Sequence, residues 1–178
     1  VRVGSSENIV INGGFERPPQ NRGWNIYAGI EGWSTDLMEI GYGKSYGFYW
    51  TSQICELDGN RNDIITQGFT FDQYYNSMTF TLSVQYAARN GVALGSHKGN
   101  VYWNNVLIAT LAPNDYNVHT FTQTVTAVAG TNTLTFIGAG TSDGYGLGID
   151  NVQLIRSGTY DNVVVNGGFE RPAQNGGW

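Results

Sequence analysis

Apolar and polar side chains alternate along most of this chain with a period of two. Met78-Thr79-Phe80-Thr81-Leu82-Ser83-Val84-Gln85-Tyr86 is one clean run, and His119-Thr120-Phe121-Thr122-Gln123-Thr124-Val125 is another. A strand points successive side chains to opposite faces, so each run offers one face to a core and one to solvent. The pattern predicts strands over 8–12, 37–41, 52–58, 63–69, 78–88, 99–104, 106–111, 117–127, 132–138 and 148–155. Helical spacing is hard to find, and almost no helix is expected. Asn104-Asn105, between Val101-Tyr102-Trp103 and Val106-Leu107-Ile108, signals a hairpin, because asparagine tolerates the positive φ angles of a two-residue turn. About ten short strands with Gly/Asn turns predict an all-β fold, an antiparallel β-sandwich of jelly-roll type. Two stretches interrupt the rhythm: the aromatic, glycine-rich 41–50 and the long loop 89–99, and loops at the end of a sandwich commonly carry binding.

The opening also returns at the end. Residues 1–24 reappear as 155–178 at a constant offset of 154, with 15 of 24 positions identical. A fixed offset is the signature of a repeat, and one of this length is a whole domain rather than a solenoid unit. The expected organisation is therefore 1–7 as the tail of a preceding repeat and 8–155 as one sandwich unit. Residues 156–178 then form a linker and the first strand of the next unit.

Composition narrows the class. Charged residues make up 13% of the chain and hydrophobic residues 40%. The charged share is about half the usual value. Amides and hydroxyls replace the charges, as expected of an extracellular or cell-surface protein. A net charge of −5 argues against nucleic acid and anionic membrane as partners, and no apolar run is long enough for membrane insertion. Cys55 stands alone in an alternating run and reads as a buried core thiol. No N-x-S/T glycosylation sequon occurs.

Asn12-Gly13-Gly14-Phe15-Glu16 at the start, Gly32-Trp33 soon after and Ile149-Asp150-Asn151-Val152-Gln153-Leu154 at the end form a frame. It resembles the galactose-binding-like β-sandwich, as in carbohydrate-binding modules of families four, nine and twenty-two. The middle is similar to a secreted domain group of plant cell-wall and bacterial surface proteins. Glu56-Leu57-Asp58, Gln67, Tyr86-Ala87-Ala88-Arg89, Val101-Tyr102-Trp103-Asn104 and Gly138-Ala139-Gly140-Thr141-Ser142-Asp143 carry that likeness. The resemblance implies the fold; it implies an activity only loosely, since one fold hosts many functions.

It also implies a structural Ca²⁺, because in those modules a Glu at the Glu16 position and an Asp at the Asp150 position meet around a buried cation. Two carboxylates and backbone carbonyls suit a hard cation. Glu170 is the equivalent ligand in the next repeat. The alternative is that Glu16 pairs with an arginine such as Arg17 and Asp150 caps a turn. Asp58 and Asp143 are weaker ligand candidates, since Asp in a Gly/Asn turn commonly serves the turn.

Tyr42, Tyr46, Phe48, Tyr49 and Trp50 crowd one segment. Such rings stack on the apolar face of a sugar, pack between repeats, or fill a core. Trp33 and Trp103 match core framework positions, and Trp24 and Trp178 are read as framework too. Arg89 either hydrogen-bonds a ligand or braces its loop against a carboxylate. Catalysis is not expected. His97 and His119 are the two histidines, no partner is evident for His119, and no nucleophile elbow, metal-histidine spacing or phosphate loop occurs. Two functions remain. One is a non-catalytic unit of a secreted tandem-repeat protein, with neighbouring copies in cis or trans as partners, building a filament, sheath or adhesin. The other is a calcium-stabilised carbohydrate-binding module, repeated for avidity on polysaccharide.

Overall fold

The computed structural model of the chain describes residues 7–158. Expectations falling on 1–6 and 159–178, Glu170 among them, lie outside the described residues. Among the described residues there are ten antiparallel strands: β1 (Trp24–Ile30), β2 (Trp33–Tyr42), β3 (Gln53–Glu56), β4 (Ile64–Phe71), β5 (Thr79–Ala87), β6 (Gly99–Trp103), β7 (Val106–Leu111), β8 (His119–Thr126), β9 (Gly130–Gly138) and β10 (Gly148–Arg156). Three single-turn 3-10 helices, at Gly43–Tyr46, Gln73–Tyr75 and Leu94–Ser96, are the helical content among the described residues.

The strand order is β7-β6-β9-β4-β2-β3-β10-β5-β8, with β1 paired along the other flank of β2. Strand β2 is the hinge of the sandwich. Its start meets β4 at Ser34↔Thr66, and its end meets β3 over Glu39–Tyr42. One layer is therefore β7-β6-β9-β4 and the other β3-β10-β5-β8, which makes the fold an all-β jelly-roll sandwich. Strand β4 alternates strictly, with Ile65, Gln67, Phe69 and Phe71 buried. The core between the layers joins Ile65, Phe69, Trp103, Leu134 and Phe136 of the first to Phe80, Leu82 and Leu154 of the second, together with Met38 and Ile40 of β2. Free Cys55 is fully buried there. Asn104 and Asn105 take φ +49° and +64°, closing the β6–β7 hairpin as their side chains allow.

Two expectations need correction. The segment 8–12 is not a strand: it makes one bridge, Asn8↔Ile155, and then turns. Side-chain amides replace the missing ladder. The Asn8 amide oxygen accepts from Leu154 N (2.9 Å), while Gln67 accepts from Ile11 N (2.7 Å) and donates to Ile11 O (2.9 Å). An amide with both ends matched can serve backbone groups in place of a ladder, as Gln67 does from a buried position. The segment thereby reaches from β10 in one layer to β4 in the other. The second correction is β1, which the alternation did not reveal. It lies at an edge, and Trp24, Asn25, Ala28 and Gly29 are exposed, so it carries no two-faced pattern.

Candidate functional site

The aromatic segment covers the outer face of the β3-β10-β5 layer. It fits because glycines line that face: a Cβ on Gly41 would lie 2.5 Å from the Tyr46 ring, and one on Gly148 would lie 2.8 Å from Phe48. Tyr46 and Phe48 are buried with Ile54 and Ala87, and Trp50 packs on them edge-on to Phe48. Tyr42 is half-buried opposite Gln53. Tyr49 remains 78% exposed. The segment is thus mainly a second small core, with one ring presented to solvent.

Under this cover lie carboxylates. Glu39 and Glu56 are register partners on β2 and β3, and both are buried. The Tyr46 hydroxyl donates to Glu39, and Gly146 N donates to Glu56 Oε1 at 2.6 Å. The other Glu56 oxygen has no hydrogen-bond partner; its cation is Arg89, 3.9 Å away. Burial first, then the neighbouring Glu39, pushes Glu56 up to about 8. Burial likewise raises Glu39, and burial and the Glu39 contact raise the Tyr46 phenol. The Arg89 guanidinium lies 4.4 Å from the Tyr46 ring centre and 5.2 Å from that of Tyr145. Arg89 therefore braces its surroundings through a carboxylate and two rings.

These groups open onto a cleft of about 270 Å³ lined by Trp24, Glu39, Tyr46, Arg89, Asp143 and Tyr145, with Gly59 and Gly144 between them. Trp24, expected in the framework, is instead 56% exposed at this cleft. The loop carrying Asp143 and Tyr145 is shaped by buried Asp58. Its carboxylate accepts from Ser142 Oγ (3.0 Å), Asp143 N (2.9 Å) and Gly144 N (3.3 Å). Asp58 thus works in a turn. Asp143 accepts from Ser96 Oγ at 2.8 Å. Two shallower depressions adjoin. One joins Tyr46, Tyr49 and Arg89; the other joins Tyr49 and Trp50 to Tyr116 and Asn117. Glu39, Tyr145 and Trp24 line this cleft, and the sequence reading did not place them at a candidate site. Register sets Glu39 against Glu56, and register is not visible in a single strand's pattern.

Glu16 and Asp150 both border the Gly13-Gly14 turn. Asn151, at φ +47°, lies in a bulge of β10 directly after buried Asp150. The Gly13-Gly14 turn sits on this bulge, with Val152 N donating to Gly13 O at 2.9 Å. A Cβ on Gly14 would stand 3.7 Å from both Asp150 Oδ1 and Glu16 Cγ. Asp150 accepts from Thr51 Oγ1 and from Asn151 N (2.6 Å), and Ser52 donates to Glu16. Burial above all pushes Asp150 up to about 6, with Glu16 adding to the effect. Arg17 pairs with Glu31 (2.9 Å) rather than Glu16. Two carboxylates and two hydroxyls fit a hard cation in donor type. No group of three His, Cys, Asp or Glu placed to hold a metal occurs among the described residues, so further donors would be carbonyls and water.

His119, for which no partner was evident in the sequence, contacts Asp115 at 2.8 Å and stacks on Tyr86. Buried His97 contacts Ala93 O at 3.0 Å. Among the described residues no helix is long and apolar enough to cross a membrane.

No family model matches the chain. It is 29% identical over 147 residues to a multifunctional-autoprocessing repeats-in-toxin protein of Vibrio vulnificus, covering 82% of this chain. It is 27% identical over 168 residues to the protein of the same description from Vibrio cholerae serotype O1, covering 93% of this chain. The chain spans 3% and 4% of the length of those relatives. Among solved structures it is similar to an arabinose-bound GH51 α-L-arabinofuranosidase (TM-score 0.51, 9% identity, 85% of this chain and 26% of that one). It is also similar to a family 35 carbohydrate-binding module from Clostridium thermocellum (TM-score 0.45, 12% identity, 75% of this chain and 92% of that one). Sequence identities this low speak to fold alone.

Proposed function

We propose that the chain is a non-catalytic saccharide-binding module of an extracellular repeat protein. The cleft between Trp24 and Tyr145 is its binding site. The observation that carries this reading is the combination lining the cleft: exposed aromatic rings beside Glu39, Arg89 and Asp143. A flat ring takes the apolar face of a sugar, and charged groups read its hydroxyls with strong directional hydrogen bonds. The carbohydrate-binding module among the structural neighbours is in keeping with this. The test is a glycan array probed with the 178-residue chain and with Trp24→Ala and Tyr145→Ala. Retained saccharides should be lost in both variants while the melting temperature holds. Absence of any bound saccharide, or indifference to both substitutions, sinks the reading.

The filament, sheath or adhesin reading is supported by the 154-residue repeat in the sequence, and a binding unit strung in tandem would gain avidity. It places neighbouring copies in cis or trans as partners at the cell surface. Calcium belongs to the same proposal: Glu16 and Asp150 would hold it, tying the first turn to the last strand. A ligand bound only to the folded state stabilises it by mass action. Chelation should therefore lower the melting temperature, and Glu16→Gln or Asp150→Asn should erase the difference. A melting curve indifferent to chelator in the unsubstituted chain rules the cation out.

A further inference from the structure

We infer that this cleft selects a protonated amino sugar, a hexosamine with its amine free, over neutral, N-acetylated or acidic saccharides. The inference rests on the saccharide reading of the same cleft and deepens it. The lining holds two carboxylates, Glu39 and Asp143, against one cation, Arg89. Glu56 lies behind them, fully buried and outside the lining, so the cleft's own acceptors are Glu39 and Asp143.

Arg89 itself shows what the site attracts, lying close to the rings of Tyr46 and Tyr145 with carboxylates beside it. Ring faces and carboxylates together are the environment of a bound cation. An ammonium group brings three donors and a positive charge to acceptor-only side chains. A neutral sugar brings donors without the charge, and an acidic sugar adds a further negative charge to the cluster. A metal ion suits the site less well. Aromatic rings form half of the six principal lining side chains, and among the described residues no three potential metal ligands are grouped. The volume, about 270 Å³, fits one sugar ring. It falls below the roughly 300–1,000 Å³ of sites for larger ligands. The broad exposed ring of Trp24 favours a pyranose over the narrow stem of a lysine.

The experiment is calorimetric titration of the 178-residue chain at neutral pH with a β-linked glucosamine tetramer and with its fully N-acetylated counterpart. The free amine should bind about tenfold more tightly, as expected for a charged hydrogen bond in place of a neutral one. Asp143→Asn, at an exposed turn position, should reduce that preference, and Glu39→Gln should reduce it further. Unchanged circular dichroism would show that each variant folds. Equal or tighter binding of the acetylated tetramer overturns the inference while leaving the saccharide reading standing. So does binding of a lysine-rich peptide as tight as that of the glucosamine tetramer, or Ca²⁺ alone competing for the cleft. If neither tetramer nor any arrayed saccharide binds, the saccharide reading fails and the inference with it.

Discussion

Glu56 shows how far a single residue departs from what its letter suggests. In the sequence it is one charge at the end of an alternating run. In the fold both of its faces are closed, by the aromatic cover on one side and the loop around Gly146 on the other. Burial and Glu39 push its carboxyl up to about 8, against the opposing pull of Arg89 and the Gly146 hydrogen bond, with Asp58 adding to the rise. The folded chain then holds the proton more tightly than the unfolded chain. Its contribution to stability is complete below the ordinary glutamate range and is lost as pH rises toward about 8. The melting temperature should therefore fall across that window. Glu56→Gln copies the neutral acid in shape and should flatten the fall. Thermal melts at a series of pH values decide the matter, and a melting temperature that climbs over the same interval contradicts the assignment. None of this is legible from the sequence, because the shift comes from a neighbour on another strand and from a cover contributed by a loop.

Elements were legible in proportion to how unequal their two faces are. Strands β4, β5 and β9 bury one face and expose or half-expose the other, and their positions follow the alternation within a few residues. Edge strand β1 buries little on either face and left no pattern to find. Segment 8–12 carries an apolar pattern but is matched by the amides of Asn8 and Gln67 rather than by a ladder. The turn that follows was recognisable as a motif, and its geometry now explains the motif. A Cβ at Gly13 would lie 2.1 Å from Val152 O, a backbone atom of the β10 bulge that cannot swing away. Gly13→Ala must push the turn off the bulge that follows Asp150. A loss of about 1–3 kcal/mol is expected, the range for forcing extra volume into a packed site. Gly68→Ala, where nothing lies within 4 Å, is the matched control and should cost far less. Urea unfolding of the two variants makes the comparison, and equal losses would mean that the close approach at Gly13 relaxes freely.

At the scale of the whole molecule, what matters is whether 7–158 is complete. The slot between β10 and β4 is already filled by this chain's own opening segment. Asn8 bonds to Leu154, Gln67 holds both backbone groups of Ile11, Val10 and Phe15 enter the core, and Gln53 donates to Phe15 O. Residues 162–170 repeat that segment, with Asn162, Gly167, Phe169 and Glu170 in the places of Asn8, Gly13, Phe15 and Glu16. Among the described residues that slot is taken, so a second copy of the segment would have to displace the first to enter it. It carries the side chains that a following unit, or a unit of another chain, would need for its own slot, and an open slot of that kind invites a donated segment. Ending the chain at Gly158 should therefore leave the melting temperature and the urea midpoint unchanged. Removing 1–16 instead should strip Val10, Phe15 and the partners of Gln67 and collapse the stability. Adding a peptide of 162–170 to that shortened chain should restore part of it, because the peptide carries the same anchors. If trimming at Gly158 costs as much as removing the opening, the final segment completes this unit, and the boundary between repeats lies elsewhere.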